Sequence, residues 1–245
     1  MNHNKKIITT VCSAVAAIAV VAVFTSWYLL KTGCIDKYHP LKKARRGQIR
    51  VACVGDSITY GFGIKDQKEK SYPAVLGRLL GDGYAVNNFG FSDRTAGFSA
   101  NRPYVDEELY RQSLDFMPDI VVIMLGTNDS KPYNWINRES FINDYEKIIG
   151  SYLKLRSNPK IFIMIPPTPF PVLGKVRYEI DADVVVNEIC PAARQIADEM
   201  GFDVIDVNAL LKDKPELFVD GLHPNAEGAE LIAKLVYKTI INNTK

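Results

Sequence analysis

The chain alternates short apolar runs with longer stretches in which apolar residues recur every three or four positions. The three clearest runs are Arg50-Val51-Ala52-Cys53-Val54, Asp119-Ile120-Val121-Val122-Ile123-Met124-Leu125 and Lys160-Ile161-Phe162-Ile163-Met164-Ile165. They are β-branched and end at Gly55, Gly126 and Pro166-Pro167, which predicts strands buried on both faces, as in a parallel sheet. Residues 84–89 and 202–207 predict two weaker strands. Between the strands, Tyr72, Val75, Leu76, Leu79 and Leu80 share one helical face, with Ser71 placed to cap and Pro73 in the first turn. Residues 141–155 and 184–200, and a last helix carrying Leu231, Ile232, Leu235, Val236 and Ile240, continue the pattern. This order implies an α/β fold, one open parallel sheet with helices on both faces.

The N-terminal stretch breaks the pattern. Ile7 to Leu30 contains 24 residues and no charge. As a helix it would be roughly 36 Å long, enough to cross a hydrocarbon core of about 30 Å. Trp27 and Tyr28 lie near its end, where interfacial aromatics belong. It exceeds the usual h-region of a cleaved signal, so it predicts an uncleaved signal anchor over 1–35. A basic linker follows at 36–48, and one domain occupies 49–245. Cys34 follows Leu29-Leu30-Lys31-Thr32-Gly33, a loose likeness to a bacterial lipoprotein site from which Lys31 departs. The flanking charges disagree about orientation. Their excess on the C-terminal side favours a cytoplasmic domain by the positive-inside rule, while Lys5 and Lys6 favour the reverse.

Charge sharpens this division. Residues 1–46 carry +7 and the remainder −5, which gives the overall +2. A basic nucleic-acid-binding domain is thereby disfavoured, because its positive charge would have to lie on the folded surface. The 47% hydrophobic content excludes disorder. Four cysteines without a C-x-x-C pair support neither a disulfide scaffold nor structural zinc. Cys53 reads as a buried small hydrophobe.

In an open parallel sheet, ligands bind at the carboxyl ends of the strands, and the reactive residue types cluster there. The first strand ends in Gly55-Asp56-Ser57-Ile58-Thr59, which places a hydroxyl at a strand-to-helix turn. A hydroxyl needs a base to become a nucleophile. His3 and His39 precede the domain, which leaves His223 in Asp220-Gly221-Leu222-His223-Pro224, with Asp220 spaced to hold its ring. Oxyanion donors are available from the Ser57 N–H, from Gly90 in Asn88-Phe89-Gly90, and from Asn128 in Gly126-Thr127-Asn128-Asp129. Each fragment alone is a common turn or helix entry. Their joint occurrence at successive strand ends is not.

Together these blocks closely resemble the SGNH (GDSL-type) hydrolases. The matches are Gly55-Asp56-Ser57-Ile58, Asn88-Phe89-Gly90-Phe91-Ser92, Gly126-Thr127-Asn128-Asp129 and Asp220-Gly221-Leu222-His223, spanning nearly the whole domain. The resemblance implies a flavodoxin-like three-layer α/β/α sandwich with a five-stranded parallel sheet. It also implies Ser57 as nucleophile, His223 as general base and Asp220 as its orienter. Ser57, Gly90 and Asn128 would form the oxyanion hole, with no metal or organic cofactor. Asp56 and Asp129 are expected to organise their loops. Asp93 departs from the glycine that many members have there.

The stretch from Gly126 to Trp135 most resembles bacterial carbohydrate or sialate O-acetylesterases, so a short acyl ester on a sugar is the expected substrate. Trp135, Arg94 and Tyr104 are candidates for the substrate rim, Arg94 through an acidic sugar's carboxylate. A lysophospholipase or thioesterase acting on lipid, and an inactive glycan-binding module, are the alternatives. A carbohydrate substrate favours a domain outside the cytoplasm, held to the membrane by the anchor.

Overall fold

The computed structural model describes residues 41–243. The expected anchor at 1–35 lies outside them, and among the described residues no helix is long and apolar enough to cross a membrane.

Strand β1 (Ile49–Gly55) runs into a single helical turn, α1 (Ser57–Tyr60). Helices α2 (Gln67–Lys70) and α3 (Tyr72–Leu80) lead to β2 (Tyr84–Gly90). Then come α4 (Glu108–Asp115), β3 (Ile120–Met124), α5 (Arg138–Leu153) and β4 (Lys160–Ile165). A helical turn (Ala182–Val184) and a π-helical turn (Val185–Ile189) feed α6 (Cys190–Met200), followed by β5 (Asp203–Asp206), α7 (Val207–Leu211) and α8 (Ala226–Asn243).

All five strands are parallel, in the order β2-β1-β3-β4-β5. This is the doubly wound flavodoxin-like order. Alternate residues of each strand feed two cores. Ala52, Val54, Val121 and Ile123 pack under α5 and α6, whereas Val51, Cys53, Val122 and Met124 pack under α3 and α8. Each fully buried Val, Leu or Ile contributes about 1.5–3 kcal/mol over its exposed state.

The predicted periodicities fall close to these elements. Helix α4 is absent from the sequence reading because only Leu109 and Ser113 of it are buried, too sparse a stripe to register. Ser71 occupies the N-cap position of α3, but its side chain makes no capping hydrogen bond. Its Cβ instead packs close to Gly61.

The chain leaves β1 towards β2 and β3 on opposite sides, so the order reverses between β1 and β3. That crevice is where doubly wound sheets bind ligands. The loop after β1 carries Ser57 and the loop after β3 carries Asn128.

Candidate active site

The turn that presents Ser57 is locked by its neighbours. Asp56 caps α1, its carboxylate accepting the Ile58 N–H at 2.9 Å. Gly55 permits this geometry, since a Cβ there would lie 2.2 Å from Thr59 Oγ1 and 2.5 Å from the Met124 carbonyl. The Asn88 amide, from β2, donates to the Thr59 carbonyl at 2.9 Å and ties α1 to the sheet edge.

The last loop before α8 reaches the same point. Ser57 Oγ lies 2.9 Å from His223 Nε2, and His223 Nδ1 lies 2.8 Å from Asp220 Oδ2. Asp220 Oδ1 accepts the backbone N–H groups of Leu222 and His223 at 3.0 and 2.8 Å. All three residues are buried. Burial pushes the Asp220 carboxyl up, but the hydrogen bond and charge of His223, with the two backbone N–H groups, outweigh it and hold it well below the ordinary carboxylate range. Asp220 is therefore an anion at neutral pH, suited to orient the imidazole and to stabilise it when protonated. Ser57, His223 and Asn128 face a cleft of about 340 Å³. Among the described residues no group of three His, Cys, Asp or Glu side chains could hold a metal ion.

The model of the GDSL-like lipase/acylhydrolase family matches residues 53–231, a span that contains all four blocks. The chain belongs to this family. An acetylxylan esterase of Xylanibacter ruminicola is 39% identical over 210 residues, which are 78% of this chain and 43% of that protein. The chain thus spans less than half of that relative. A human isoamyl acetate-hydrolyzing esterase 1 homolog is 29% identical over 205 residues, 75% of this chain and 77% of the relative. A solved carbohydrate acetylesterase of Sinorhizobium meliloti shares the fold, with a TM-score of 0.65 at 22% identity over 80% of this chain and 99% of that one.

Not every expected residue of this GDSL-type site lies where the sequence suggested. Asn128 does face the cleft. Its amide donates to the Arg94 carbonyl at 3.1 Å, which fixes its plane and leaves a second amide hydrogen. The Ser57 N–H, first in α1, belongs to the helix end whose donors lack intrahelical partners.

Gly90 differs. Its N–H donates to Asn88 Oδ1 at 2.9 Å, not to the cleft. The register explains this. Phe91 N–H bonds the Gly55 carbonyl at 3.0 Å, so the preceding N–H points the other way, towards the open edge of the sheet. Gly90 serves packing instead, because a Cβ there would lie 2.3 Å from Tyr60 N.

The three rim candidates also move. Tyr104 is fully buried and its hydroxyl donates to the Phe89 carbonyl at 2.6 Å, so it is a core residue. Arg94 is committed to Glu107 at 2.6 Å and to the Ser92 carbonyl, with its guanidinium over Phe91, so it has no fork free for a substrate carboxylate. Trp135 packs on Phe141 and lines a separate cavity of about 20 Å³ that shares no residue with the cleft. In each case the polar end of a large side chain found an internal partner, or its ring a core neighbour, before reaching the rim.

Asp93 adopts the left-handed conformation that glycine would take, with φ +64°. Its carboxylate pairs with the buried Lys131 and, at 3.2 Å, with Arg102. Lys131, Tyr178 and Glu179 line the cleft without having been singled out in the sequence. Lys131 lies two residues beyond the third block, which ends at Asp129. Tyr178 and Glu179 carried no signal beyond their place in the loop after a strand.

Asp129 accepts the Ala96 and Gly97 N–H groups at 3.0 and 2.7 Å, and so pins the loop after β2 against the third block. Burial pushes its carboxyl up to about 7 despite those bonds, and pushes Asp56 up to about 6.

Proposed function

We propose that this protein is a serine esterase that removes short acyl groups, acetyl above all, from carbohydrate. The observation that carries the reading is the continuous hydrogen-bonded chain Ser57–His223–Asp220 opening on a cleft at the β1/β3 switch point. Ser57 Oγ attacks the ester carbonyl while His223 Nε2 takes its proton. His223 then protonates the leaving alcohol. Water, deprotonated by His223, releases the acid from the acyl-enzyme. Asp220 keeps Nδ1 protonated and stabilises the imidazolium. The Asn128 amide and the Ser57 N–H receive the oxyanion, each donor contributing on the order of 10²–10³ in rate. The acetylxylan esterase relative supports a sugar acetate as substrate.

Residues 1–35 are read as a membrane anchor holding the domain outside the cytoplasm, supported by the 24 uncharged residues from Ile7 to Leu30. Carbonate-resistant membrane association of the full chain, with the domain open to external protease, tests that arrangement.

The test of the activity is a panel of acetylated sugars and xylan, an aryl acetate and long-chain acyl lipids. Ser57→Ala is expected to lose about 10⁴-fold or more in kcat and all covalent labelling by a fluorophosphonate. Preference for the acyl lipids would turn the reading to a lipid hydrolase. Full labelling of Ser57→Ala would remove the nucleophile.

A further inference from the structure

Asp220 Oδ2 accepts two hydrogen bonds. One comes from His223 Nδ1 at 2.8 Å, and the other from the Tyr178 hydroxyl at 2.9 Å. Tyr178 belongs to no sequence block. It lies on the strap that runs from Pro166 after β4 to Asp181. Its ring centroid is 5.4 Å from the imidazole, and Phe62 packs on the same imidazole at 4.6 Å.

The strap is built to bring this hydroxyl in. Tyr178 has φ 60° and ψ 27°, and Glu179 follows with φ 59°. Two successive left-handed residues without glycine are sterically disfavoured and persist only where the surroundings impose them. Here the turn sends both residues into the cleft wall. The strap is tied at one end where the Phe170 N–H donates to the Gly221 carbonyl at 2.7 Å, and at the other where the Asp181 N–H donates to Ser130 Oγ at 3.2 Å. At the first tie only glycine fits, since a Cβ on Gly221 would lie 2.2 Å from the Phe170 carbonyl oxygen.

We propose that Tyr178 is a positioning residue. Its hydroxyl holds the Asp220 carboxylate in the plane of the imidazole and takes up part of its charge, and so sets the strength of the His223–Asp220 bond that orients the base. The proposal rests on the assignment of Ser57, His223 and Asp220 given above. Burial, and then the bond to Asp220, raise the phenol above its ordinary value, so it remains a donor at neutral pH. The other charges felt here are Asp56 and Lys131 around the triad and Arg177 beside Tyr178. None of them offers Asp220 a replacement donor among its hydrogen bonds.

The test is Tyr178→Phe in the full chain, which keeps the ring against His223 and removes only the hydroxyl. With an aryl acetate, kcat is expected to fall about tenfold, the worth of one hydrogen bond to a charged group, while KM stays within about twofold. The low-field proton resonance of the imidazole N–H in the His223–Asp220 bond is expected to move. In an Asp220→Asn background, Tyr178→Phe should add nothing to the loss in fluorophosphonate labelling rate. An unchanged kcat, an unmoved resonance or an additive loss in the double variant would each overturn the proposal. If Ser57→Ala is dead and Tyr178→Phe is wild type, only this inference fails. If Ser57→Ala still labels, the reading of the site fails with it.

Discussion

The cleft has two walls made in different ways. One is the ends of β1 and β3, where Ser57, Asn128 and Asp129 are buried and each is held by backbone hydrogen bonds or close glycine contacts. The other is the strap 166–181, where Leu173 is wholly exposed, Tyr178 is half exposed, and one backbone tie to Gly221 and one to the Ser130 hydroxyl at its ends supplement one bridge between Val172 and Lys175. The first wall holds the groups whose geometry must be right to a fraction of an ångström. The second lines the cleft through Tyr178 and Glu179. Rigid packing thus belongs to the strand ends, and the strap, joined to Ser130 through the Asp181 N–H and to Asp220 through the Tyr178 hydroxyl, is the more loosely held.

The largest break in that comparison is at the rigid wall. Asn128→Ala removes the side-chain donor proposed for the oxyanion and its bond to the Arg94 carbonyl. We expect kcat to fall about 10²–10³-fold with little change in KM, because the lost bond strengthens only as charge develops on the ester oxygen. A matching rise in KM with kcat intact would instead make Asn128 a ground-state binding residue.

The same contrast decides what the sequence could reveal. Strand-end blocks are local. Gly55-Asp56-Ser57 and Asp220-Gly221-Leu222-His223 each carry their own turn chemistry, so Ser57 and His223, 166 residues apart, could be paired by elimination before any coordinates. The parallel sheet was equally legible, because apolar runs buried on both faces have no other ready explanation. Side-chain destinations were not legible. Tyr104 looks like a rim aromatic until its hydroxyl is seen to reach the Phe89 carbonyl. The direction of the Gly90 N–H depends on register with β1, which no residue type encodes. Tyr178 is invisible because its role follows from a strained backbone turn 42 residues away from Asp220.

A medium effect tests how tightly the rigid wall is buried. Burial raises the folded-state values of Asp129 to about 7 and Asp56 to about 6, above their ordinary carboxylate value. The folded protein therefore binds these protons more tightly than the unfolded chain. This part of stability is lost as pH rises through 6 and 7 and is regained below. Asp220 acts oppositely, since its depressed value gives stability that persists down to about pH 4 and is lost only in stronger acid. We expect the unfolding free energy to increase by about 2–3 kcal/mol from pH 8 to pH 5.5. Asp129→Asn should lower stability at every pH, because one of its two backbone donors loses an acceptor, and should flatten that slope. A slope unchanged in the variant would assign it to other groups.

The smallest effect belongs to the strap. Leu173 sits at the tip of the Val172–Lys175 bridge, fully exposed, with no buried contact to lose. Leu173→Ser should change stability by less than about 0.5 kcal/mol, because no packing is lost and both side chains meet the same left-handed backbone at φ +52°. Its kcat on an aryl acetate should match the wild type, because Tyr178, not Leu173, makes the bond to Asp220, and Leu173 is wholly exposed. An effect confined to large acylated carbohydrates would place the carrier sugar against the strap and extend the division between the walls to the substrate itself. A loss of more than 1 kcal/mol in stability would show that the tip is packed after all, and the two walls would then differ in sequence but not in rigidity.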